Sequence, residues 1–127
     1  MSAKSETGKR GEALACEYLE KLGFEILHRN YRAGHLETDI ICEDERYLLF
    51  VEVKTRTDKG RYTRYGSAKS AVDARKRERI LECAREYIYK NKPSKKPRID
   101  VIEVYLDSRG EFLPENGIRH IKNAVTA

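Results

Sequence analysis

Two runs of apolar, β-branched and aromatic residues near the middle of the chain flank a short charged cluster. The runs cover residues 36–42 and 47–53, and the cluster covers residues 43–46. This arrangement predicts a β-hairpin with the charged cluster at its tip. The second run carries apolar residues at both odd and even positions, which is typical of a central strand buried on both faces.

Helical and alternating periodicity predicts the remaining elements. A first helix over about residues 6–22 has Leu14, Tyr18 and Leu22 on one face, and Gly23 is expected to end it. The other elements are a strand over 24–31, a turn at Gly34, a second helix from about 70 or 73 to 90, a linker over 91–97, a strand over 98–106 and a short strand over 118–121. Because a crossover helix precedes it, the strand over 98–106 can run parallel to the second hairpin strand. Together they predict an α/β fold with a central mixed sheet and two helices packed against it.

Charged side chains interrupt the predicted hairpin, although charges are rare inside buried strands. Asp39 lies in the first strand, and Glu52 and Lys54 lie at the end of the second. A two-residue turn at 44–45 and a four-residue loop formed by the whole charged cluster predict the same register between the strands. An odd-length loop would place Asp39 on the opposite face of the sheet.

In the predicted register Asp39 pairs with Phe50 and Glu37 pairs with Glu52. Glu37, Asp39, Glu52 and Lys54 then share one face, because side chains alternate along a strand. Asp39 and Glu52 become diagonal neighbours with backbones roughly 7–8 Å apart, so their carboxylates can converge.

Converging carboxylates need a compensating charge. Two unit charges 4 Å apart repel by about 4 kcal/mol at an effective dielectric constant of 20. This is a large share of the stability of a small domain, roughly 5–15 kcal/mol. A raised pKa, Lys54 or a divalent cation could offset the repulsion, and carboxylates with water and substrate phosphate are ligands that suit Mg²⁺ or Mn²⁺.

Asp39, followed on the next strand by Glu52-Val53-Lys54, resembles the PD-(D/E)XK nuclease motif. The further matching segments are Gly11-Glu12-Ala13-Leu14-Ala15, Arg29-Asn30-Tyr31-Arg32, Phe50-Val51-Glu52-Val53-Lys54-Thr55-Arg56, Ala71-Val72 with Lys76, Arg98-Ile99-Asp100-Val101 and His120-Ile121-Lys122-Asn123-Ala124. This ordered set resembles the YraN family of small bacterial endonuclease-like proteins, related in fold to archaeal Holliday junction resolvases. The resemblance covers about residues 8–124, and Thr38 departs from it, because the family usually has an apolar residue there.

The resemblance implies a restriction-endonuclease-like α/β/α sandwich and metal-dependent hydrolysis of phosphodiesters. In that mechanism Asp39 and Glu52, with the main-chain carbonyl of Val53, would hold Mg²⁺ or Mn²⁺. Lys54 would orient the attacking water or stabilise the negative charge of the transition state.

Some positions have more than one interpretation. The spacing of Glu12 favours an exposed acid near the start of a helix, whereas the resemblance implies a further metal ligand, direct or through water. Glu37 is a weaker candidate for the same site. Residues 29–32 could contact phosphate or lie on an ordinary edge strand. Asp100 is expected to be structural and to pair with Arg98 or with an arginine of the second helix.

Cations and aromatic rings interleave after Lys54 in a segment with glycine and no aliphatic run. The segment predicts a mobile basic loop over 56–70 that contacts the backbone and bases of DNA. More cations crowd the start of the second helix, where they oppose the helix dipole and therefore indicate an external anion. A solvated basic surface is the alternative. The candidate nucleic-acid-binding residues are Arg56, Arg61, Arg64, Lys69, Arg75, Lys76 and Arg79, of which Lys76 matches a lysine of the YraN family.

Composition limits the class of protein. The 127 residues suffice for one domain over 1–127, with residues 1–5 expected to be disordered. The net charge of +5 and the pI near 9.1 favour polyanionic partners. No run reaches the 18 apolar residues of a membrane span and no apolar signal core is visible, so we expect no membrane partner and a cytoplasmic protein. Cys16, Cys42 and Cys83 are widely spaced and are expected to be reduced core thiols.

Together these features predict a Mg²⁺- or Mn²⁺-dependent endonuclease or resolvase-like phosphodiesterase acting on structured DNA, branched or single-stranded. The alternative is a nucleic-acid-binding protein that has the fold and does not cleave, for which the acidic set would not be needed. A protein–protein adaptor is a third class, and its surface should be less basic near the carboxylates. A second copy of the chain is a further candidate partner. A Ser/His/Asp hydrolase is disfavoured because no nucleophile elbow is present.

Overall fold

A computed structural model describes residues 5–57, 74–107, 109, 111–112 and 117–125. The helices and strands within these residues are α1 (Glu6–Lys21), β1 (Glu25–Ala33), β2 (Leu36–Glu43), β3 (Tyr47–Thr57), α2 (Ala74–Asn91), β4 (Lys96–Leu106) and β5 (Ile118–Val125). None of the helices in this part of the chain is long and apolar enough to cross a membrane.

The described strands form one mixed sheet in the order β1-β2-β3-β4-β5. Neighbouring strands are antiparallel except for β3 and β4, which are parallel and are connected by a chain segment that includes α2. The mixed sheet and the parallel pair agree with the sequence prediction. The strand that carries Glu52 therefore lies at the centre of the sheet.

The two helices cover opposite faces of the sheet, and β3 is buried between them. Leu49 and Val51 pack in the cluster that contains Leu19 of α1. Leu48 and Phe50 pack in the cluster that contains Ile80, Ala84 and Tyr87 of α2. The prediction of a central strand buried on both faces is confirmed, and the α/β fold is consistent with a restriction-endonuclease-like sandwich.

Helix α1 is capped at both ends, and it ends before Gly23 as predicted. The Ser5 hydroxyl accepts a hydrogen bond from the Gly8 N–H at 3.0 Å and satisfies one free amide of the first turn. Leu22 is the C-cap, and Gly23 has φ +102°, a conformation that costs glycine little. Between these ends α1 approaches β3 closely at Gly11, where an added Cβ would lie 1.9 Å from Thr55 Oγ1.

The predicted register of the hairpin is wrong by two residues. In the structure Ile41 pairs with Phe50 and Ile40 pairs with Val51, so the predicted pairs of Asp39 with Phe50 and Glu37 with Glu52 do not form. The cause is the position of the turn.

The turn residues are 45–46 and not 44–45, because Asp44 N donates to the Tyr47 carbonyl at 3.0 Å. The Asp44 carboxylate also accepts from the amides of Arg46 and Tyr47, at 2.9 and 2.7 Å. Asp44 thus precedes the turn as its capping residue. A shift of two residues is even, so the change of register by itself moves no side chain to the other face of the sheet.

Several boundaries differ from the sequence prediction. β1 extends to Ala33 and β5 to Val125. β3 continues to Thr57, which includes the first residues of the predicted basic loop, and residues 58–70 of that loop lie outside the described residues. The start predicted for the second helix lies outside them too, and α2 is described from Ala74.

The three cysteines are buried and carry free thiols, as predicted. Burial raises the pKa of all three, and for Cys42 it raises the pKa to about 12. A thiol with so high a pKa is a poor nucleophile near neutral pH.

Candidate functional site

The site begins where β2 separates from β3. Their paired register ends at Ile40 and Val51, and beyond it the Val53 N–H donates to Asp39 Oδ2 at 2.8 Å. In a continuous β2–β3 ladder a backbone carbonyl of β2 would accept this hydrogen bond. Here the Asp39 carboxylate accepts it instead. Because the N–H and C=O of one strand residue point to the same neighbouring strand, the Val53 carbonyl faces this gap too.

An unusual backbone conformation accompanies the separation of the strands. Asn30 of β1 has φ +53°, which is uncommon for a residue other than glycine. The residues on either side of Asn30 pair with Ile40 and Thr38, so Asn30 lies opposite Asp39. Residues held in such conformations cluster at functional sites, where surrounding contacts maintain them.

Near Asn30 and Asp39, the alternation of side chains between the two faces of the sheet is offset by one residue on both β1 and β2. On β1, His28 and Tyr31 are three positions apart, yet both rings contact Tyr87 of α2. On β2, Thr38 donates to the Cys83 thiol of α2 at 3.2 Å, and Ile41, also three positions away, packs on the α2 side. Asp39 lies inside this irregularity, where its side chain is directed towards β3 and not simply towards one face.

The separation of the strands forms the floor of a cleft of about 890 Å³. Both α1 and α2 contribute to its walls, together with β1 and the ends of β2 and β3. The charged residues that line it are Lys9, Glu12, Arg29, Arg32, Glu37, Asp39, Glu52, Lys54, Lys76 and Arg79. The structure therefore brings the predicted acidic residues and Lys54 to one cleft.

Glu52 lies on the α2 face of β3 and lines this cleft. Its side chain is 12% exposed, and Oε2 lies 3.9 Å from Lys54 Nζ and in an ion pair with Lys76 of α2. Burial raises the pKa of Glu52, and the nearby negative charge of Asp39 raises it further, while Lys76 and Lys54 oppose both effects. The negative charge of Asp39 thus acts on Glu52 within the same cleft.

The surroundings of Lys54 lower its pKa. Burial lowers the pKa of Lys54, and the neighbouring ammonium of Lys76 lowers it further, against the attraction of Glu52 and Asp39. Lys76 has the opposite net shift: burial lowers its pKa, but the contacts with Glu52, Lys54 and Asp39 together raise it by more. Lys76 is thus the stronger counter-ion of Glu52.

Glu12 reaches the cleft from α1 and is almost fully buried, with 2% of the residue exposed. Its Oε1 accepts from Asn30 Nδ2 at 3.0 Å and lies 3.3 Å from the Arg29 guanidinium. Asn30 therefore connects the irregular part of β1 to the acid of α1. Sequence reasoning missed this role of Asn30, although asparagine is disfavoured in strands and tolerates a positive φ.

Glu37 lies at the edge of the cleft and not on its floor. It is exposed and forms an ion pair of 3.9 Å with Arg32. This placement leaves it further from the buried carboxylates than the predicted register implied.

The oxygen donors in the cleft fit a metal site with two carboxylate ligands better than a metal site with three. Within the described residues no three His, Cys, Asp or Glu side chains converge closely enough to hold a metal ion. Asp39, Glu52 and the Val53 carbonyl remain as oxygen donors, and Mg²⁺ is commonly held by one or two carboxylates plus water and substrate phosphate. The geometry thus suits a cation that completes its coordination with solvent and substrate.

The predicted nucleic-acid-binding residues are found in different surroundings. Lys76 and Arg79 line the cleft, and Arg75 is exposed in the first turn of α2. Arg56 is 36% exposed, and its guanidinium lies 3.4 Å from Glu103, a fully buried carboxylate of β4. Arg56 is therefore partly committed to an internal ion pair. Arg61, Arg64 and Lys69 lie outside the described residues.

Asp100 belongs to a separate network on the α1 face of the sheet. It accepts two hydrogen bonds of 2.9 Å from Arg98 and one from the Asn123 amide, and it pairs with His120 at 2.7 Å. His120 in turn contacts the hydroxyl of Tyr18 at 2.9 Å. The predicted pairing of Asp100 with Arg98 is confirmed, and the network fastens β4 to β5 and α1.

Comparison with known proteins identifies the family to which this chain belongs. Residues 11–104 match the model of the family described as Uncharacterised protein family UPF0102. A UPF0102 protein of Acetivibrio thermocellus is 41% identical over 123 residues, which are 95% of this chain and 92% of the relative. A UPF0102 protein of Bacteroides thetaiotaomicron is 39% identical over 98% of this chain and 95% of the relative. The chain belongs to the UPF0102 family, the YraN family of the sequence comparison above.

Proposed function

We propose that this protein is a metal-dependent nuclease that hydrolyses phosphodiester bonds in structured or branched DNA. The observation that carries the proposal is the meeting of Asp39 and Glu52 on the floor of one cleft, beside Lys54 and between cationic walls. Two largely buried carboxylates that repel each other are costly unless positive charge compensates them, and a bound cation can compensate both at once. A protein that only bound DNA would gain nothing from placing them there.

The side chains would divide the work as follows. Asp39 and Glu52, with the Val53 carbonyl, would hold Mg²⁺ or Mn²⁺. When bound, the cation would lower the pKa of a water and neutralise non-bridging phosphate oxygens. Lys54 is placed 3.9 Å from Glu52, where its ammonium can orient the attacking water or stabilise negative charge on the phosphate. The Val53 N–H fixes Asp39 in place.

Glu12 would act on the bound cation indirectly. Its contacts with Arg29 and Asn30 hold all three side chains at one end of the cleft. A water between Glu12 and the cation is the form of participation that this placement favours. Glu37, paired with Arg32 at the edge of the cleft, would offset part of the positive charge at the entrance to the cleft.

The cations of the walls favour a phosphate backbone as the ligand. They come from α1, β1 and α2 and therefore surround the carboxylates from several sides. Phosphate contacts set the position of DNA without reading its bases, so we expect recognition of shape or branching. Affinity should fall steeply as salt rises.

One observation favours the alternative function, binding without cleavage. Glu52 already has two ammonium groups as counter-ions, Lys76 and Lys54, so its charge is compensated without a metal ion. The distinction between the two functions is therefore whether a divalent cation replaces a lysine at Glu52.

A panel of DNA substrates tests the proposal. Four-way junctions, flaps, single strands and linear duplexes are incubated with the purified protein and Mg²⁺ or Mn²⁺. We expect cleavage of at least one structured substrate, its loss in EDTA, and its loss in Glu52→Gln with DNA affinity retained. No cleavage of any substrate with either metal, together with intact binding, would support the alternative.

A control variant separates loss of chemistry from loss of folding. Glu45→Gln removes the same charge at the exposed hairpin turn, away from the cleft. It should cleave at the wild-type rate. Unfolding curves of both variants establish whether Glu52→Gln remains folded.

A further inference from the structure

We propose that Lys76 is a displaceable counter-ion of the metal site: its ammonium holds Glu52 in the metal-free protein, leaves when a divalent cation binds, and then contacts the substrate phosphate. The inference rests on the proposed function and goes beyond it by giving one side chain two positions. It assigns Lys76 a positioning role that a simple DNA-binding cation would not have.

Lys76 and a metal ion require the same carboxylate. The Lys76 ammonium forms an ion pair with Glu52 Oε2, the oxygen that also lies 3.9 Å from Lys54. A cation held by Asp39 and Glu52 would be close to both ammonium groups and would repel them. At least one lysine must therefore withdraw when the cation enters.

Of the two lysines, Lys76 is the one expected to withdraw. Lys54 lies on β3, the strand that also carries Glu52 and Val53, and β3 pairs with β4 along its whole length. Lys76 reaches Glu52 from a different element, α2, so its ammonium can leave without moving any group that would hold the cation.

The released Lys76 side chain would find a new partner in the same cleft. Lys76 and Arg79 lie one turn apart on α2 and line the same wall of the cleft. A lysine combines a compact charge with a flexible stem of four carbons, so its ammonium can change partners while the helix stays in place. A phosphate drawn to the bound cation would offer the released ammonium a new negative partner.

The consequence is an ordered exchange of charges at Glu52. Without metal, the Lys76 ammonium keeps the carboxylate paired and blocks the position of a cation. With metal, the same ammonium becomes available to substrate, so that metal and DNA binding support each other. Removing the Lys76 charge should strengthen metal binding and weaken DNA binding, a combination that neither role alone predicts.

Metal affinity of the intact protein, measured without DNA, tests the exchange. Mn²⁺ is titrated by calorimetry into the wild type, Lys76→Met and Arg77→Met. Arg77 is the adjacent residue of α2, carries the same charge, is exposed and does not line the cleft. We expect Lys76→Met to bind Mn²⁺ about three to ten times more tightly, which corresponds to about 0.7–1.4 kcal/mol, and Arg77→Met to match the wild type.

A second readout follows the ammonium itself. Lysines are acylated with a limiting reagent, with and without Mg²⁺, and the modified positions are identified by mass spectrometry. The ion pair should protect Lys76 in EDTA, and Mg²⁺ should increase its labelling while that of Lys90, at the other end of α2, stays constant.

The outcomes separate failure of the inference from failure of the proposed function. Mn²⁺ binding to the wild type that is unchanged or weakened in Lys76→Met, or Lys76 labelling that Mg²⁺ leaves unchanged, would overturn the exchange and leave the metal site intact. Absence of Mn²⁺ binding in both the wild type and Lys76→Met would overturn the metal site and the exchange together.

Discussion

Replacing Gly11 by alanine should destabilise the protein, although helix propensity alone predicts the opposite. Gly11 lies inside α1, where alanine is favoured over glycine by about 1 kcal/mol. The structure places an added Cβ 1.9 Å from Thr55 Oγ1 and 2.9 Å from both Thr55 Cβ and Cγ2. All three distances are too short for non-bonded atoms, so α1 must move away from β3.

The size of the effect follows from these two opposing contributions. Overpacking of a buried contact costs about 1–3 kcal/mol, and the three simultaneous clashes at Gly11 place it near the upper end of that range. After subtraction of the propensity gain, the free energy of unfolding should fall by about 1–2 kcal/mol. For a domain of this size such a loss lowers the midpoint of thermal unfolding by about 4–8 °C. The movement would also displace Glu12, the next residue, from the cleft.

Urea unfolding of the wild type, Gly11→Ala, Thr55→Ala and the double variant measures the contact. Thr55→Ala removes two of the three clashing atoms, so Gly11→Ala should cost less in that background. A Gly11→Ala variant that is more stable than the wild type by about 1 kcal/mol would refute the close packing of α1 on β3.

Three further predictions concern the buried network, the thiols and the cleft wall. Burial alone would raise the pKa of Asp100, but the hydrogen bonds of its carboxylate with His120, Arg98 and the Asn123 amide lower that pKa below 3.8. The stabilisation from Asp100 is therefore present above pH 3.8 and is lost as the pH falls through the folded-state pKa. Asp100→Asn should therefore cost about 3–5 kcal/mol in unfolding experiments at pH 7 and progressively less in acid; an equal cost at pH 3 would contradict this. Because burial raises the pKa of Cys42 to about 12, iodoacetamide at pH 8 should label it only after unfolding, and rapid labelling of the native protein would show that it is accessible. Arg79→Ala should weaken DNA binding and reduce its salt slope by about 1, whereas an unchanged slope would remove this residue from the interface.

The elements of the fold were predictable because their signals are local. The apolar residues of both parities in β3 require burial on both faces, and the structure provides a helix on each side. The end of α1 at Gly23 and the parallel pairing after α2 follow from glycine chemistry and from the length of the connection.

The register of the hairpin was predicted incorrectly because two turn positions compete within the charged cluster. The choice depends on the Asp44 carboxylate, which binds the amides of Arg46 and Tyr47 and sets the turn one residue later. Asp39 and Glu52 meet because this shift is even and because β2 separates from β3 beyond Ile40. The separation could not be derived from periodicity, which assumes continuous ladders.

Two site features depend on contacts between distant parts of the chain. The positive φ of Asn30 and its bond to Glu12 join β1 to α1, and no spacing in the sequence encodes that pair. Arg56 was grouped with the DNA-binding cations, yet it pairs with Glu103, whose burial becomes visible only in the assembled sheet. A count of cations along the chain cannot separate those that face solvent from those that neutralise a buried acid.

Anomalous diffraction from crystals soaked in Mn²⁺ tests the central claim most directly. The account predicts a single strong peak on the floor of the cleft, bonded to one carboxylate oxygen of Asp39 and one of Glu52, with the Lys76 ammonium moved away from Glu52. Crystals of Glu52→Gln should lack the peak. Mn²⁺ bound only elsewhere on the protein, or a cleft in which Lys76 remains on Glu52 at saturating metal, would contradict the account.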